Sequence, residues 1–272
     1  MKKTFLFSSI LATTLTLSAA TYANNHSAQT LDSLFLKPSS DDMILTTSYT
    51  DYEYSTKNTK TTSSSITQIF NYGVTDRLSA KLSLTHEDEK EKSSSSTLKS
   101  DGFDNPEIEL KFRTANKKSD GFFSDITFSI APDIITAKDA TSTDNGTVAS
   151  GQNAYAIAVD YGRNFDMLSY KLTAKSAYNA KGQSKNATTE IRTELESSSD
   201  FSLIFDAQYK LNALISLDVS ASRLLVDNIS ELKAAINYNI NKNSLLTLSY
   251  AQQDDRVTND IHTAILALKY RF

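Results

Sequence analysis

The last twelve residues alternate at period two. In Ile261-His262-Thr263-Ala264-Ile265-Leu266-Ala267-Leu268-Lys269-Tyr270-Arg271-Phe272, the residues Ala264, Leu266, Leu268, Tyr270 and Phe272 fall on one side, and Thr263, Lys269 and Arg271 on the other. Successive side chains of a strand point to opposite faces, so this stretch reads as a strand with one apolar face and one wet face. The pattern recurs along the chain. Leu78, Ala80, Leu82 and Leu84 oppose Ser79, Lys81 and Ser83; Ile108, Leu110 and Phe112 oppose Glu107, Glu109, Lys111 and Arg113. Leu168, Tyr170, Leu172 and Ala174 oppose Ser169, Lys171, Thr173 and Lys175; Phe201, Leu203, Phe205, Ala207 and Tyr209 oppose Ser202, Asp206, Gln208 and Lys210. Twelve strand segments are expected, over 42–55, 62–73, 77–88, 104–114, 122–132, 152–162, 167–179, 199–211, 213–222, 230–239, 244–253 and 261–272. The first is ambiguous, because both of its faces carry Thr and Tyr.

The connections between these segments separate a barrel from a sandwich. Tight turns follow the second, fourth, sixth, eighth and tenth segments, around Thr75, Lys117, Asn164, Asn212 and Asn241. Long polar loops follow the third, fifth and seventh, at residues 93–96, 139–151 and 181–198, and shorter loops follow the first, ninth and eleventh. A sandwich has no reason to sort its loops by parity. A membrane barrel does, with short turns on one side and long loops on the other. The fold class expected is therefore all-β: a closed antiparallel transmembrane β-barrel of about twelve strands. Most segments have the length that crosses a bilayer at a tilt. The aromatics Tyr72, Phe112, Phe122, Tyr161, Tyr170, Tyr209, Tyr238, Tyr270 and Phe272 lie near the turn ends, as an interfacial girdle would.

Residues 1–23 read as a secretory signal that is removed. Lys2 and Lys3 precede a short apolar core, and Thr21-Tyr22-Ala23 offers small residues for a cut before Asn24. Residues 24–41 form an N-terminal segment in which Leu31, Leu34 and Phe35 sit at helical spacing, stopped by Pro38. This segment is expected either to enter the lumen as a plug or to lie loose in the periplasm; residues 42–272 form the barrel. Removing Lys2 and Lys3 takes the net charge from −4 to −6, and nothing suggests nucleic-acid binding. There is no Cys, so no disulfide framework and no thiolate chemistry. A closed barrel holds an exported chain together without one, since every backbone group pairs and no edge remains. The mean hydropathy of −0.35 excludes a helical membrane protein but not a barrel with a polar lumen.

The terminal strand, ending on Tyr270-Arg271-Phe272, resembles the closing strand of Gram-negative outer-membrane barrels. The resemblance implies that Tyr270 and Phe272 serve as an assembly signal, with the barrel-assembly machinery as a partner beside outer-membrane lipids and lipopolysaccharide. A second resemblance rests on Tyr72-Gly73-Val74-Thr75-Asp76-Arg77-Leu78, followed by Gly102-Phe103-Asp104 and Leu110-Lys111-Phe112-Arg113. These residues resemble the family of outer-membrane barrels known as MetA-pathway transporters of phenol degradation. Here Asp104 follows Phe103 directly, where the family has a second Gly, and the strand ends Lys-Phe-Arg rather than Lys-Tyr-Arg. The match covers about residues 70–113 and implies a passive channel for a small-molecule solute.

The candidate site is the inward face. Lys81, Lys111, Arg113, Lys171, Lys175, Lys210, Lys233, Lys269 and Arg271 are its bases, and Glu107, Glu109, Asp125, Asp160, Asp206 and Asp218 its acids. Strand direction puts Lys111, Arg113, Lys171, Lys210, Lys269 and Arg271 near the turn end. A lumen with a basic lower half and a mild anion preference follows, unless Asp125 and Asp160 neutralise that ring. The function expected is passive transport through a narrow charged lumen, with no cofactor, no metal and no catalysis. His26, His86 and His262 are too few for a metal site without Cys. One rival is a structural or adhesive barrel. Another is an outer-leaflet lipid hydrolase: pairing Tyr72 with Leu78 would set Ser64 opposite His86 with Asp88 beside it, the residue types of a nucleophile, base and orienting acid.

Overall fold

The computed structural model describes residues 30–55, 58–117, 121–141, 143–189, 191–226, 229–254 and 260–272. The expected signal sequence and His26 lie outside them. Every element among the described residues is a strand. In chain order these are β1 (Met43–Ser55), β2 (Thr59–Gly73), β3 (Leu78–Ser93), β4 (Thr97–Phe103), β5 (Glu107–Lys117), β6 (Phe122–Ala131), β7 (Ala137–Asp139) and β8 (Ala154–Asn164). There follow β9 (Leu168–Asn179), β10 (Gly182–Asn186), β11 (Arg192–Leu195), β12 (Ser198–Lys210), β13 (Ile215–Leu224), β14 (Ile229–Asn241), β15 (Ser244–Asp254) and β16 (Asp260–Arg271).

Twelve walls form one closed antiparallel barrel. β3 pairs with β5 at the turn end and with β4 at the loop end, so β4 and β5 share one wall, interrupted at Asp104-Asn105-Pro106. Closure runs through β1 and β16, which pair over twelve residues from Ile44↔Arg271 to Ser55↔Asp260. The amide of Phe272 adds a bond to the Met43 carbonyl at 2.9 Å. Apart from the outer side of β4, which has only a bridge from Ser100 to Gly146, the described strands of these walls are paired on both sides, which is how a chain without disulfides satisfies its backbone.

The lipid-facing side carries the apolar half of the alternation. Leu110, Phe128, Val159, Leu172, Phe205, Val219, Ile236 and Leu248 are all more than 40% exposed. In water such a surface would be a large aggregation hazard; in a bilayer it is the solvated face. Tyr72, Phe112, Tyr161, Tyr209 and Tyr238 ring its turn end, and Phe122 meets Tyr161 edge-on at 5.0 Å.

Three expectations are corrected. The loops at residues 139–151 and 181–198 are not merely irregular: β10 pairs with β11, and β7 runs parallel to β10, tying two loops into a small sheet. The third loop joins through a parallel bridge between Ser100 and Gly146. In the N-terminal segment, the one or two turns expected before Pro38 are tight turns and not α-helix among the described residues. Ser33 N–H donates to the Thr30 carbonyl and Leu36 N–H to the Ser33 carbonyl, which makes two successive turns. Finally, Tyr72 pairs with Ala80 rather than Leu78. The turn at residues 74–77 sets that register: Leu78 O accepts from both Val74 N–H and Thr75 N–H, while Thr75 Oγ1 accepts from Arg77 and Leu78. A two-residue shift keeps every side chain on its face, so the alternation gives no warning of it.

Candidate functional site

Register alone defines the inward face. Arg113 opposes Asp125, Asp125 opposes Asp160, Lys171 opposes Asp206, Gln208 opposes Asp218, and Lys269 opposes Thr46. Following these pairs around the barrel places all fifteen expected residues on one side: Lys81, Glu107, Glu109, Lys111, Arg113, Asp125, Asp160, Lys171, Lys175, Asp206, Lys210, Asp218, Lys233, Lys269 and Arg271.

Of the bases expected at the turn end, Lys111, Arg113 and Lys171 are answered by acids, as is Lys81 on β3. Arg113 is 5% exposed and makes a two-pronged contact with Asp125, Nε to Oδ1 at 2.8 Å and an Nη to Oδ2 at 3.0 Å. Lys111 lies 3.9 Å from Asp160, whose Oδ1 accepts from Thr173 Oγ1 at 2.6 Å. Lys81 meets Glu109 at 2.6 Å, and Lys171 meets Asp206 at 3.1 Å. On β5 the bases are therefore neutralised, which is the exception the expected basic lower half allowed for. Asp125 and Asp160 sit directly opposite one another and hold Arg113 and Lys111, so no uncompensated ring of positive charge remains on those strands. Three of the four pairs connect adjacent walls and Lys111–Asp160 reaches across β6 from β5 to β8; buried or half-buried pairs of this kind are costly to break because the survivor is left desolvated.

Residues 30–42 cross this face at the turn end. The inward side chains donate to their backbone: Lys269 Nζ to the Leu31 carbonyl at 3.1 Å, Gln208 Nε2 to the Asp32 carbonyl at 2.5 Å, and an Arg113 Nη to the Phe35 carbonyl at 2.6 Å. Lys210 Nζ reaches Thr30 Oγ1 at 3.4 Å. Those four donors come from β16, β12 and β5, so the segment spans the lumen. Leu31 and Phe35 are 1% and 2% exposed. Leu31 packs with Ile44 and Leu245, and Phe35 stacks on Phe123 with ring centres 4.9 Å apart. Gly162 faces the same spot, and a Cβ there would stand 2.6 Å from the Phe35 ring. Lys37 Nζ ends the crossing by donating to the Thr75 and Pro38 carbonyls. Below it, Gly73 N–H donates to the Asp42 carbonyl and the Gly73 carbonyl accepts from Asp41 N–H, and a Cβ on Gly73 would fall 1.7 Å from the Ser39 carbonyl oxygen.

Above the crossing lies a cavity of about 350 Å³. Ser83, Thr85, Glu107, Ser129, Lys175 and Asp104 line it. Asn105, one residue on from Asp104, is 8% exposed and its Oδ1 accepts from Ile134 and Ile135 N–H, pinning the loop that roofs this wall. Among the described residues, no three side chains of His, Asp or Glu converge as metal ligands do. The hydrolase arrangement does not form as expected. Ser64 stands opposite Asp88, and His86 stands opposite Ile66, with its Nε2 3.8 Å from Asp101 and its ring against Phe103.

Sequence reading missed Gln208, Phe123 and Gly162 as contacts of the crossing segment. The sequence offers a signal only for Gly162, which interrupts a strand pattern where another backbone or side chain approaches closely.

No family model matches this sequence, and no curated protein matches it either. Solved structures do resemble it in shape. An outer-membrane channel of Pseudomonas putida F1 superposes with a TM-score of 0.70 at 11% identity, over 89% of this chain and 100% of that one. The translocator domain of the autotransporter NalP from Neisseria meningitidis gives 0.54 at 12% identity, over 88% and 91%. The KdgM porin in complex with disordered oligogalacturonate gives 0.52 at 11%, over 84% and 99%. At these identities the likeness establishes a fold, the closed barrel of outer-membrane proteins.

Proposed function

We propose that this chain is an outer-membrane channel of a Gram-negative bacterium for small solutes, closed at its periplasmic end by residues 30–42. The observation that carries this reading is the inward face. A barrel that served only as an anchor could fill its interior with apolar side chains. This one lines it with Ser, Thr and paired charges, keeps a cavity of about 350 Å³, and stops it with a short peptide rather than with the walls. Charges inside a barrel belong in a wet passage or in a fully paired plug, and the paired charges at the turn end and the cavity above them support a plug and a passage at different heights.

Selectivity belongs to the loop-end mouth. There Glu87 and Glu89 face inward beside Ser65 and Ser63, and Glu91 beside Thr61. With Lys111, Arg113 and Lys171 paired and Lys210 and Lys269 engaged by the crossing segment, this acidic mouth makes the open pore weakly cation-preferring. The family of MetA-pathway transporters fits the motif residues around Gly73 and a small-molecule solute. The adhesive alternative would leave the crossing segment without a purpose.

Planar-bilayer recording tests the proposal. Wild type should show small, mostly closed conductance. Gly73→Ala, which forces the Ser39 backbone away, should raise open probability by about tenfold if docking loses roughly 1.4 kcal/mol. A silent barrel in both forms, with folding verified, would overturn the channel reading.

A further inference from the structure

The outward face at the loop ends of β2, β3 and β4 carries an arrangement that a sheet alone does not favour. Lys60 stands directly opposite Lys92, and Lys90 directly opposite Lys99. Their parity is that of Leu82, Leu84 and Phe70, so they belong to the lipid-facing side. Like charges directly opposite in a sheet repel and destabilise it. Glu53 on β1 answers one of the four, with its Oε1 2.5 Å from Lys60 Nζ, both side chains about half exposed. The row below is acidic. Asp88 stands opposite Asp101, and His86 Nε2 lies 3.8 Å from Asp101. Below that, the face turns apolar, with Phe103 at 58% exposure and Leu84 and Leu82 each at 37%.

Height identifies the partner. At about 3.3 Å per residue and a tilt near 40°, Lys90 stands roughly 20 Å above Leu82 along the barrel axis. A lipid-facing band is about 25 Å tall. The lysines therefore emerge where the apolar band ends, at the level of headgroup phosphates. A protein partner would not need continuity with an apolar lipid-facing surface; a lipid with an anionic head does.

We propose that Lys60, Lys90, Lys92 and Lys99 form a binding site for the phosphates of a phosphorylated glycolipid, the lipid A of the outer leaflet. The site rests on the membrane placement proposed above and not on conduction. Phosphate oxygens accept from ammonium groups on both sides of β3 and remove the cross-strand repulsion. Acyl chains then lie along Phe103, Leu84 and Leu82.

The test is native mass spectrometry of the full-length mature barrel in detergent, with bisphosphorylated lipid A, its dephosphorylated form and phosphatidylethanolamine as probes. Wild type should retain the bisphosphorylated form over the dephosphorylated one. The variant Lys60→Gln/Lys90→Gln/Lys92→Gln/Lys99→Gln should bind it at least about tenfold more weakly. Lys242→Gln, at the opposite end, should change nothing, and Lys→Arg at the four positions should preserve binding. Heat-shifted gel migration verifies that each variant is folded. Equal retention of both lipid A forms by wild type, or unchanged affinity in the fourfold Gln variant, overturns the proposal. Preference for a soluble anionic polysaccharide over lipid A overturns it too. A barrel that binds lipid A but never conducts would sink the channel reading and leave this site standing.

Discussion

Arg113 lies between three groups that it holds together. Its guanidinium meets Asp125, donates to the Phe35 carbonyl and stands 5.0 Å over the centre of the Phe123 ring. Asp125 is 1% exposed, so it has no water to fall back on. Arg113→Ala should therefore destabilise the barrel by about 3–5 kcal/mol, the cost of stranding a buried charge. Arg113→Met with Asp125→Leu should cost much less, because it removes both charges together. Urea-induced unfolding in detergent, followed by gel migration, measures the difference; equal losses in the two variants would show that the pair is not the source. At this scale the sequence was informative about side and silent about partner. Alternation put Arg113, Asp125 and Asp160 on one face. It could not tell whether Asp125 and Asp160 neutralise the bases, because that depends on which residues stand opposite across a hydrogen-bonded pair.

The crossing segment is the element on which the proposed gating turns. It is held by four side-chain donors, one ring stack and the Leu31 contact, with no regular secondary structure of its own. Lys37 is buried in it, and burial, with Arg113 nearby, holds its pKa below the ordinary value of 10.5. The docked state therefore sheds its proton at lower pH than the released state does. Below the lowered pKa both states are charged, and docking bears the whole cost of burying the ammonium. As pH rises from there toward 10.5, that cost is relieved and docking strengthens. Open probability in bilayers should fall over this alkaline window in wild type. Lys37→Gln should flatten the dependence, and a wild-type pore that opens as pH rises would contradict it. The spacing of Leu31, Leu34 and Phe35 suggested helical turns before Pro38. Two tight turns form instead, because the carbonyls of Leu31, Asp32 and Phe35 are taken by barrel side chains rather than by a helix.

Closure is a property of the whole molecule, and it depends on both chain ends of the barrel. β1 and β16 meet over their full length, and Tyr270 and Phe272 stack edge-on at 4.9 Å on the outward side. The Phe272 amide bond to Met43 is the last rung of that seam. Deleting Phe272 should lower the yield of folded barrel in outer membranes severalfold, through loss of both this rung and the aromatic end that assembly machinery would read. Membrane fractions scored for heat-shifted migration check it, and unchanged yield would remove Phe272 from any assembly role. Refolding into detergent without cellular factors should suffer far less, since one rung among twelve strand pairs is a small part of the total.

The sequence by itself determined what is local. Period-two alternation fixes which residues share a face, and turn-forming residues at every second connection fix where strands end, so the twelve-walled barrel was legible from residues 42 to 272. Tertiary structure decided what depends on relative placement. Ser64 met Asp88 rather than His86 because the turn at residues 74–77 set a register two residues away, which no periodicity records. The loops around Asp139 and Ser184 joined into a sheet because strand ends on neighbouring walls brought them together. Residues 30–42 entered the lumen because Arg113, Gln208 and Lys269, distant in sequence, converge only when the barrel closes and offer donors to a backbone that would otherwise bond to water.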